Sequence, residues 1–245
     1  MTKKVSEIME SAEKRKPLNL SHFPLQFITN GRNGAECIEQ AKRVLDGGCL
    51  WVQLRMKNGT LATAGNSTTL SDEEFDRQMR ETAEKMKLLT DQYEATLIID
   101  DNVLLTQHVK ASGVHLGKND MPPAEAREIL GSDYIIGGTC NTFEDIERIH
   151  STVDYIGCGP FRFTTTKKNL APTLGLDGYR DITWMCRSNG IDTPIVAIGG
   201  ITVADIGDVL QAGPNGIALS GEIIHSADMT AKTEEIIEVM NQCYR

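Results

Sequence analysis

Eight short apolar runs recur along the chain with a regular beat, at 25–29, 50–54, 96–99, 113–116, 134–136, 154–157, 194–198 and 216–219. Each is near-continuously apolar and rich in Ile, Val and Leu instead of alternating with polar residues. That pattern suits strands covered on both faces, as in a parallel sheet packed under helices. Amphipathic helical patterns lie between the runs. From Ala35 to Leu45, the residues Cys37, Ile38, Ala41, Val44 and Leu45 form one stripe, which stops at Gly47-Gly48. Ser71 and Glu74 have capping-box spacing ahead of a longer helix. Further helices are predicted over 103–109, 122–130, 142–149, 176–187, 202–211 and 230–243. Pro122-Pro123 suits a first turn, Thr142 with Asp145 another cap, and Gly131 and Gly213 stand where helices end. Eight strands alternating with eight helices predict a single α/β domain, a (β/α)8 TIM barrel over 24–245 after an N-terminal extension at 1–23. The alternative is a doubly wound open sheet. It more naturally carries G-x-G-x-x-G after its first strand, whereas residues 29–34 read Thr-Asn-Gly-Arg-Asn-Gly.

Composition narrows the function classes. A net charge of −9 argues against a general nucleic-acid surface but permits a local basic pocket for an anionic ligand. The six cysteines show no C-x-x-C and no zinc spacing, as expected of reduced structural thiols in a cytoplasmic protein. No run approaches a membrane span, and residues 1–16 carry both signs of charge, unlike a signal or an anchor.

In barrels of this kind, active-site groups sit at the C-terminal strand ends and in the loops that follow. The second run ends in Gln53-Leu-Arg55-Met-Lys57, and alternate residues of an extended segment share a face. Two cations and an amide then aim at one spot, which suits an anion; a solvated strand end is the plainer account. The third run ends in Asp100-Asp101 and the fourth leads to Asp120. Carboxylates on adjacent strand tops fit a general acid/base pair or the ligands of a divalent ion, and Mg²⁺ bridging a pyrophosphate is preferred beside phosphate-binding groups. Asp101 also reads as a helix N-cap, and His115 as a packed strand histidine. After the fifth run comes the small polar segment 137–141 with Thr139. The sixth leads into Gly159-Pro160 and then Thr164, Thr165, Thr166, Lys167 and Lys168, a loop of hydroxyls, amides and positive charge suited to phosphate, or simply a solvated surface loop. Gly199-Gly200 after the seventh run, and Ser220-Gly221 after Leu219, stand where such barrels build a phosphate cup. No nucleophile elbow or Walker motif is present.

These ordered motifs resemble the thiamine phosphate synthase family. They are Q-L-R-x-K at 53–57, I-x-D at 99–101, G-V-H-L-G-x-x-D-M-P at 113–122, D-Y-I-G-x-G-P with T-x-T-K-K at 154–168, A-I-G-G-I at 197–201, and Gly216 to Ser220. The resemblance implies a TIM barrel joining hydroxymethylpyrimidine diphosphate to a thiazole phosphate through a dissociative step, with one Mg²⁺ per active site. It implies Asp101 and Asp120 as metal ligands, and Gln53, Arg55, Lys57, Asp100, Thr139 and Lys167 around the pyrimidine diphosphate, with Lys167, Arg55 and Thr139 as the catalytic set. Thr164, Thr166, Gly200, Leu219 and Ser220 would hold the thiazole phosphate. Partners are then phosphorylated small molecules, with neither nucleic acid nor membrane, and self-association stays open.

The sequence also departs from the family pattern. Asp100 stands where the family carries Asn, and Thr139 where Ser is usual. The polar segment 58–70 is longer than typical and reads as a lid or as an insertion without a role. Rival functions are a thiazole tautomerase-like isomerase and a non-catalytic thiazole phosphate sensor. The first has no use for a diphosphate site, and Asn141 lies in the loop where a histidine would be expected of such relatives; the second needs no metal carboxylates.

Overall fold

Side chains alternate across each strand, and this parity sorts the sequence into two cores. The computed structural model describes residues 25–56, 61–63, 66–68, 70–163 and 172–243. Strands β1 (Leu25–Ile28), β2 (Trp51–Leu54), β3 (Thr96–Asp100), β4 (Gly113–Leu116), β5 (Ile135–Cys140), β6 (Tyr155–Cys158), β7 (Ile195–Ile198) and β8 (Gly216–Leu219) pair in parallel. Each bonds to its sequence neighbours and β8 returns to β1, so the barrel is closed. Closure leaves the barrel sheet itself without an unpaired edge. On β3, Leu97 and Ile99 face the helices and join the large outer core, while Ile98 packs inside the barrel with Trp51, Tyr155 and Val196. The open-sheet alternative is excluded by the β1–β8 pairing.

The helices form the outer ring: α1 (Gly34–Asp46), α2 (Asp72–Gln92), α3 (Val103–Val109), α4 (Pro123–Leu130), α5 (Phe143–Ile149), α6 (Gly175–Ser188), α7 (Ile206–Gln211), a short α8 (Gly221–Ile224) and α9 (Met229–Cys243). Their starts follow local chemistry. Ser71 Oγ accepts from Glu74 N, Thr142 and Asp145 close a reciprocal capping box, and Pro123 opens α4. Such caps contribute about 1 kcal/mol each.

The structure departs from the sequence expectation in three places, the first being the helix expected over 202–211, which opens as a 3-10 turn at Val203–Asp205 and becomes α7 only from Ile206. The fifth strand runs on to Cys140, so Thr139 is a strand residue and not part of a loop. Between β2 and α2, residues 61–63 and 66–68 pair as a short antiparallel hairpin, so part of the polar segment has regular structure. The extension at 1–23 lies outside the described residues.

The fifth strand continues through Gly137-Gly138 because tertiary neighbours take the space a side chain would need. A Cβ on Gly137 would lie 2.2 Å from Tyr155 Cζ, and one on Gly138 would lie 2.5 Å from Ile149 Cδ1. Because Tyr155 is fully buried, Gly137→Ala is expected to lower stability by about 1–3 kcal/mol through overpacking. The check is the urea midpoint at constant m-value, and an unchanged midpoint contradicts the packing account.

Candidate active site

The polar residues that open into the mouth sit on the inward parity of β2 to β6. At the β2–β3 corner, Gln53 Nε2 donates to Asp100 Oδ1 at 2.6 Å, and Arg55 Nε lies 3.6 Å from Asp100 Oδ2. Asp100 therefore braces both the amide and the cation from the neighbouring strand. Thr29 locks the Arg55 backbone: its Oγ1 accepts from Arg55 N at 2.9 Å and donates to Arg55 O at 3.0 Å. Gln53 is buried, and its Oε1 has no hydrogen-bond partner among the described residues, so an acceptor remains for a donor on a ligand.

Asp101 follows directly. Its backbone is left-handed, with φ 63°, and its N–H donates to His115 O at 2.9 Å. Non-glycine residues in this region are uncommon, and Asp tolerates it better than most. The helix-cap reading of Asp101 gives way here. Asn102 is the N-cap of α3, with Oδ1 accepting from Leu105 N at 2.9 Å. Beyond β4, Asp120 Oδ2 accepts from Gly117 N at 2.7 Å, which pins the turn that carries it. No three His, Cys, Asp or Glu side chains among the described residues converge on a point that could hold a metal. Two carboxylates suit Mg²⁺, which usually keeps substrate oxygens and waters in its remaining positions.

Thr139 lies inside the barrel and is tied to a string that runs from half-buried His115 down to buried Tyr155 and Gln26. His115 Nε2 is 3.0 Å from Thr139 Oγ1, His115 Nδ1 is 3.0 Å from Tyr155 Oη, and Gln26 Nε2 donates to Tyr155 Oη at 3.1 Å. Burial pushes the Tyr155 phenol far above its ordinary pKa, so it stays neutral. On the outer face of the same strands, burial also raises the thiols of Cys140 and Cys158, the latter to about 12. Neither is a thiolate nucleophile. Asn141 Nδ2 donates to Gly159 O and bridges the loops after β5 and β6.

The ends of β7 and β8 are built from backbone. Gly199 and Gly200 have φ of 99° and 71°, and a Cβ on Gly200 would meet Arg162 Cγ at 2.5 Å. Only glycine lets the segment after β6 lie so close, bonded through Phe161 N to Ile198 O (2.9 Å) and Arg162 N to Gly199 O (3.0 Å). Arg162 then forks onto Asp205 with bonds of 2.8 and 2.7 Å, and Asp205 Oδ2 also accepts from Thr202 N and Oγ1. Burial works to raise the Asp205 carboxyl, but these bonds offset it and hold its pKa below the ordinary value. Ser220 Oγ is buried with no hydrogen-bond partner among the described residues, an arrangement that costs about 1–3 kcal/mol when left unsatisfied. Leu219 turns its side chain into the outer core, so only its backbone faces the ligand side.

The structure thus brings Gln53, Arg55, Asp100, Asp101, Asp120 and Thr139 to the ends of β2 to β5, and Gly200 and Ser220 to the ends of β7 and β8. Lys57, Thr164, Thr166 and Lys167 lie outside the described residues. Sequence reading missed Gln26, Tyr155, Arg162 and Asp205. Strand parity could have placed Gln26 and Tyr155 inside the barrel; nothing local marks the Arg162–Asp205 pair, which spans 43 positions.

The sequence pattern of one protein family, thiamine monophosphate synthase, matches residues 25–223 of the chain. The thiamine-phosphate synthase of Phocaeicola vulgatus is 48% identical over 216 residues, which cover 88% of this chain and 97% of that protein. That of Flavobacterium johnsoniae is 43% identical, with 87% of this chain and 94% of that protein covered. Among solved structures, the thiamine phosphate pyrophosphorylase of Pyrococcus furiosus superposes with a TM-score of 0.75 at 30% identity, covering 93% of this chain and all of that one. No helix among the described residues is long and apolar enough to cross a membrane.

Proposed function

The chain belongs to the thiamine monophosphate synthase family, transferases of thiamine biosynthesis, and we propose that it joins 4-amino-2-methyl-5-hydroxymethylpyrimidine diphosphate to 4-methyl-5-hydroxyethylthiazole phosphate. The carrying observation is the pairing of two anion-ready sets in one mouth. Arg55, braced by Asp100, stands at the ends of β2 and β3, and the unsatisfied Ser220 Oγ and the Gly199-Gly200 turn stand at the ends of β7 and β8.

In the proposed reaction the bond between the pyrimidine methylene carbon and the diphosphate oxygen breaks heterolytically, and pyrophosphate leaves with the electron pair. The thiazole nitrogen then supplies the pair for the new C–N bond. No protein nucleophile is needed. Arg55, with Lys57 and Lys167, carries positive charge toward the departing pyrophosphate, and Thr139 gives it a hydroxyl proton to bond. Gln53 offers its unpartnered Oε1 to an N–H of the aminopyrimidine. Thr164, Thr166, the Gly200 and Leu219 backbone and Ser220 hold the thiazole phosphate, and the Arg162–Asp205 fork fixes the chain just ahead of the threonines. Asp101 and Asp120 would hold one Mg²⁺, which when bound neutralises diphosphate oxygens as a Lewis acid. An isomerase acting on thiazole phosphate needs a proton-transfer group after β5. The side chain there is Asn141, and its amide is engaged by Gly159 O.

The test is a mixture of both substrates with Mg²⁺, and the same mixture with excess chelator. Thiamine phosphate and pyrophosphate are expected in equal amounts with the metal, and at least about 100-fold slower without it. Binding of thiazole phosphate without product from the pair would sink the reading.

A further inference from the structure

The Thr139 hydroxyl has a fixed direction, and the groups that set it lie deeper in the barrel. We infer that Gln26, Tyr155 and His115 form a one-way hydrogen-bond relay that keeps His115 as the Nε2-protonated tautomer and frees the Thr139 proton for the substrate, making Tyr155 and His115 positioning residues. This rests on the role assigned above to Thr139.

The polarity follows from counting protons along the string. Gln26 Nε2 carries only donors, so Tyr155 Oη accepts from it at 3.1 Å. The phenol has one proton, and its other partner is His115 Nδ1 at 3.0 Å. Nδ1 must therefore be the bare nitrogen. A neutral ring then carries its proton on Nε2, which points at Thr139 Oγ1 at 3.0 Å. Thr139 receives a bond there, and its own proton is left to donate elsewhere. A proton on Nδ1 would instead leave the Tyr155 hydroxyl proton without an acceptor at a fully buried position, an arrangement that costs about 1–3 kcal/mol.

Two glycines reserve the volume for this string. A Cβ on Gly137 would stand 2.5 Å from Tyr155 Oη, and one on Gly157 would stand 2.9 Å from His115 Cε1. The Trp51 ring meets Tyr155 edge-on at 4.9 Å and walls the phenol from the side. Packing thus holds the rings in place, and the hydrogen bonds set their polarity.

The first measurement uses the intact enzyme labelled with ¹⁵N-histidine near neutral pH, the His115 signals being assigned by their loss in His115→Gln. The expected spectrum shows a protonated Nε2 and a bare Nδ1. The opposite tautomer reverses every bond, turns the Thr139 proton back onto His115 and overturns the inference. The second measurement is a double-mutant cycle on turnover. Tyr155→Phe should lower kcat about tenfold while KM for either substrate moves less than about twofold. In a Thr139→Val background the same change should cost nothing further, and in a Thr139→Ser background the tenfold effect should return. Additive losses in Thr139→Val would show that Tyr155 acts on stability or packing and would sink the relay alone. A Thr139→Val enzyme with wild-type turnover would instead remove Thr139 from the site, and the relay with it.

Discussion

Arg55→Ala is expected to lower kcat/KM for the pyrimidine diphosphate about 100- to 1,000-fold, the range seen when a preorganised charge-stabilising donor is removed. Two effects add. The guanidinium proposed to face the departing pyrophosphate is lost, and Asp100, which had Arg55 Nε at 3.6 Å, becomes a less compensated negative charge beside the proposed anionic substrate. The second effect can be separated from the first. Asp100→Asn keeps an oxygen to accept from Gln53 Nε2 while removing the charge, so adding it to Arg55→Ala should recover about tenfold. Arg55→Lys keeps a charge but loses the planar fork, and should sit about tenfold below the native enzyme. Steady-state kinetics with the diphosphate as varied substrate gives all three numbers. If Asp100→Asn recovers nothing in the Arg55→Ala background, Asp100 acts only as a mechanical brace for Gln53.

Asp101→Ala and Asp120→Asn should each reduce turnover at fixed Mg²⁺ by about 100-fold or more, because each removes one of the carboxylates proposed for the metal. Asp120→Asn is the cleaner probe. Its remaining oxygen can still accept from Gly117 N, so the turn after β4 should hold and thermal unfolding should be unchanged. Asp101→Ala also tests the left-handed backbone at φ 63°, a conformation Ala adopts less readily than Asp. Calorimetric titration of Mg²⁺ in the presence of pyrophosphate gives a readout apart from turnover. Native-like metal affinity in both variants would take Asp101 and Asp120 out of the ligand set and leave them as loop-forming residues.

Much of the barrel was legible in the chain itself. Continuous apolar runs separated by amphipathic stretches demand strands buried on both faces, and that demand is local. The runs at 96–99 and 216–219 fall within one residue of β3 and β8. Polar residues at the ends of such runs and in the segments that follow fall at the barrel mouth by chain direction alone, which is why Gln53, Arg55, Asp101 and Asp120 could be singled out. The misreadings have a common cause. Gly137-Gly138 looks like a strand end in sequence, yet the strand continues because Tyr155 and Ile149 occupy the space that side chains there would fill. Asp101 reads as a cap by residue type, yet in the folded chain its N–H is spent on His115 O and the Asn102 side chain accepts from Leu105 N instead.

By itself the sequence determined the number of barrel strands, their alternation with helices and which side chains point inward, since these depend on periodicities of a few residues. Which inward side chains meet was decided only when the barrel closed. Gln26 and Tyr155 are 129 positions apart, and His115 reaches Tyr155 across 40 and Thr139 across 24. Parity brings each of them to the interior, but the register between strands and the volume left by Gly137 and Gly157 set the contacts, and both are properties of the assembled sheet.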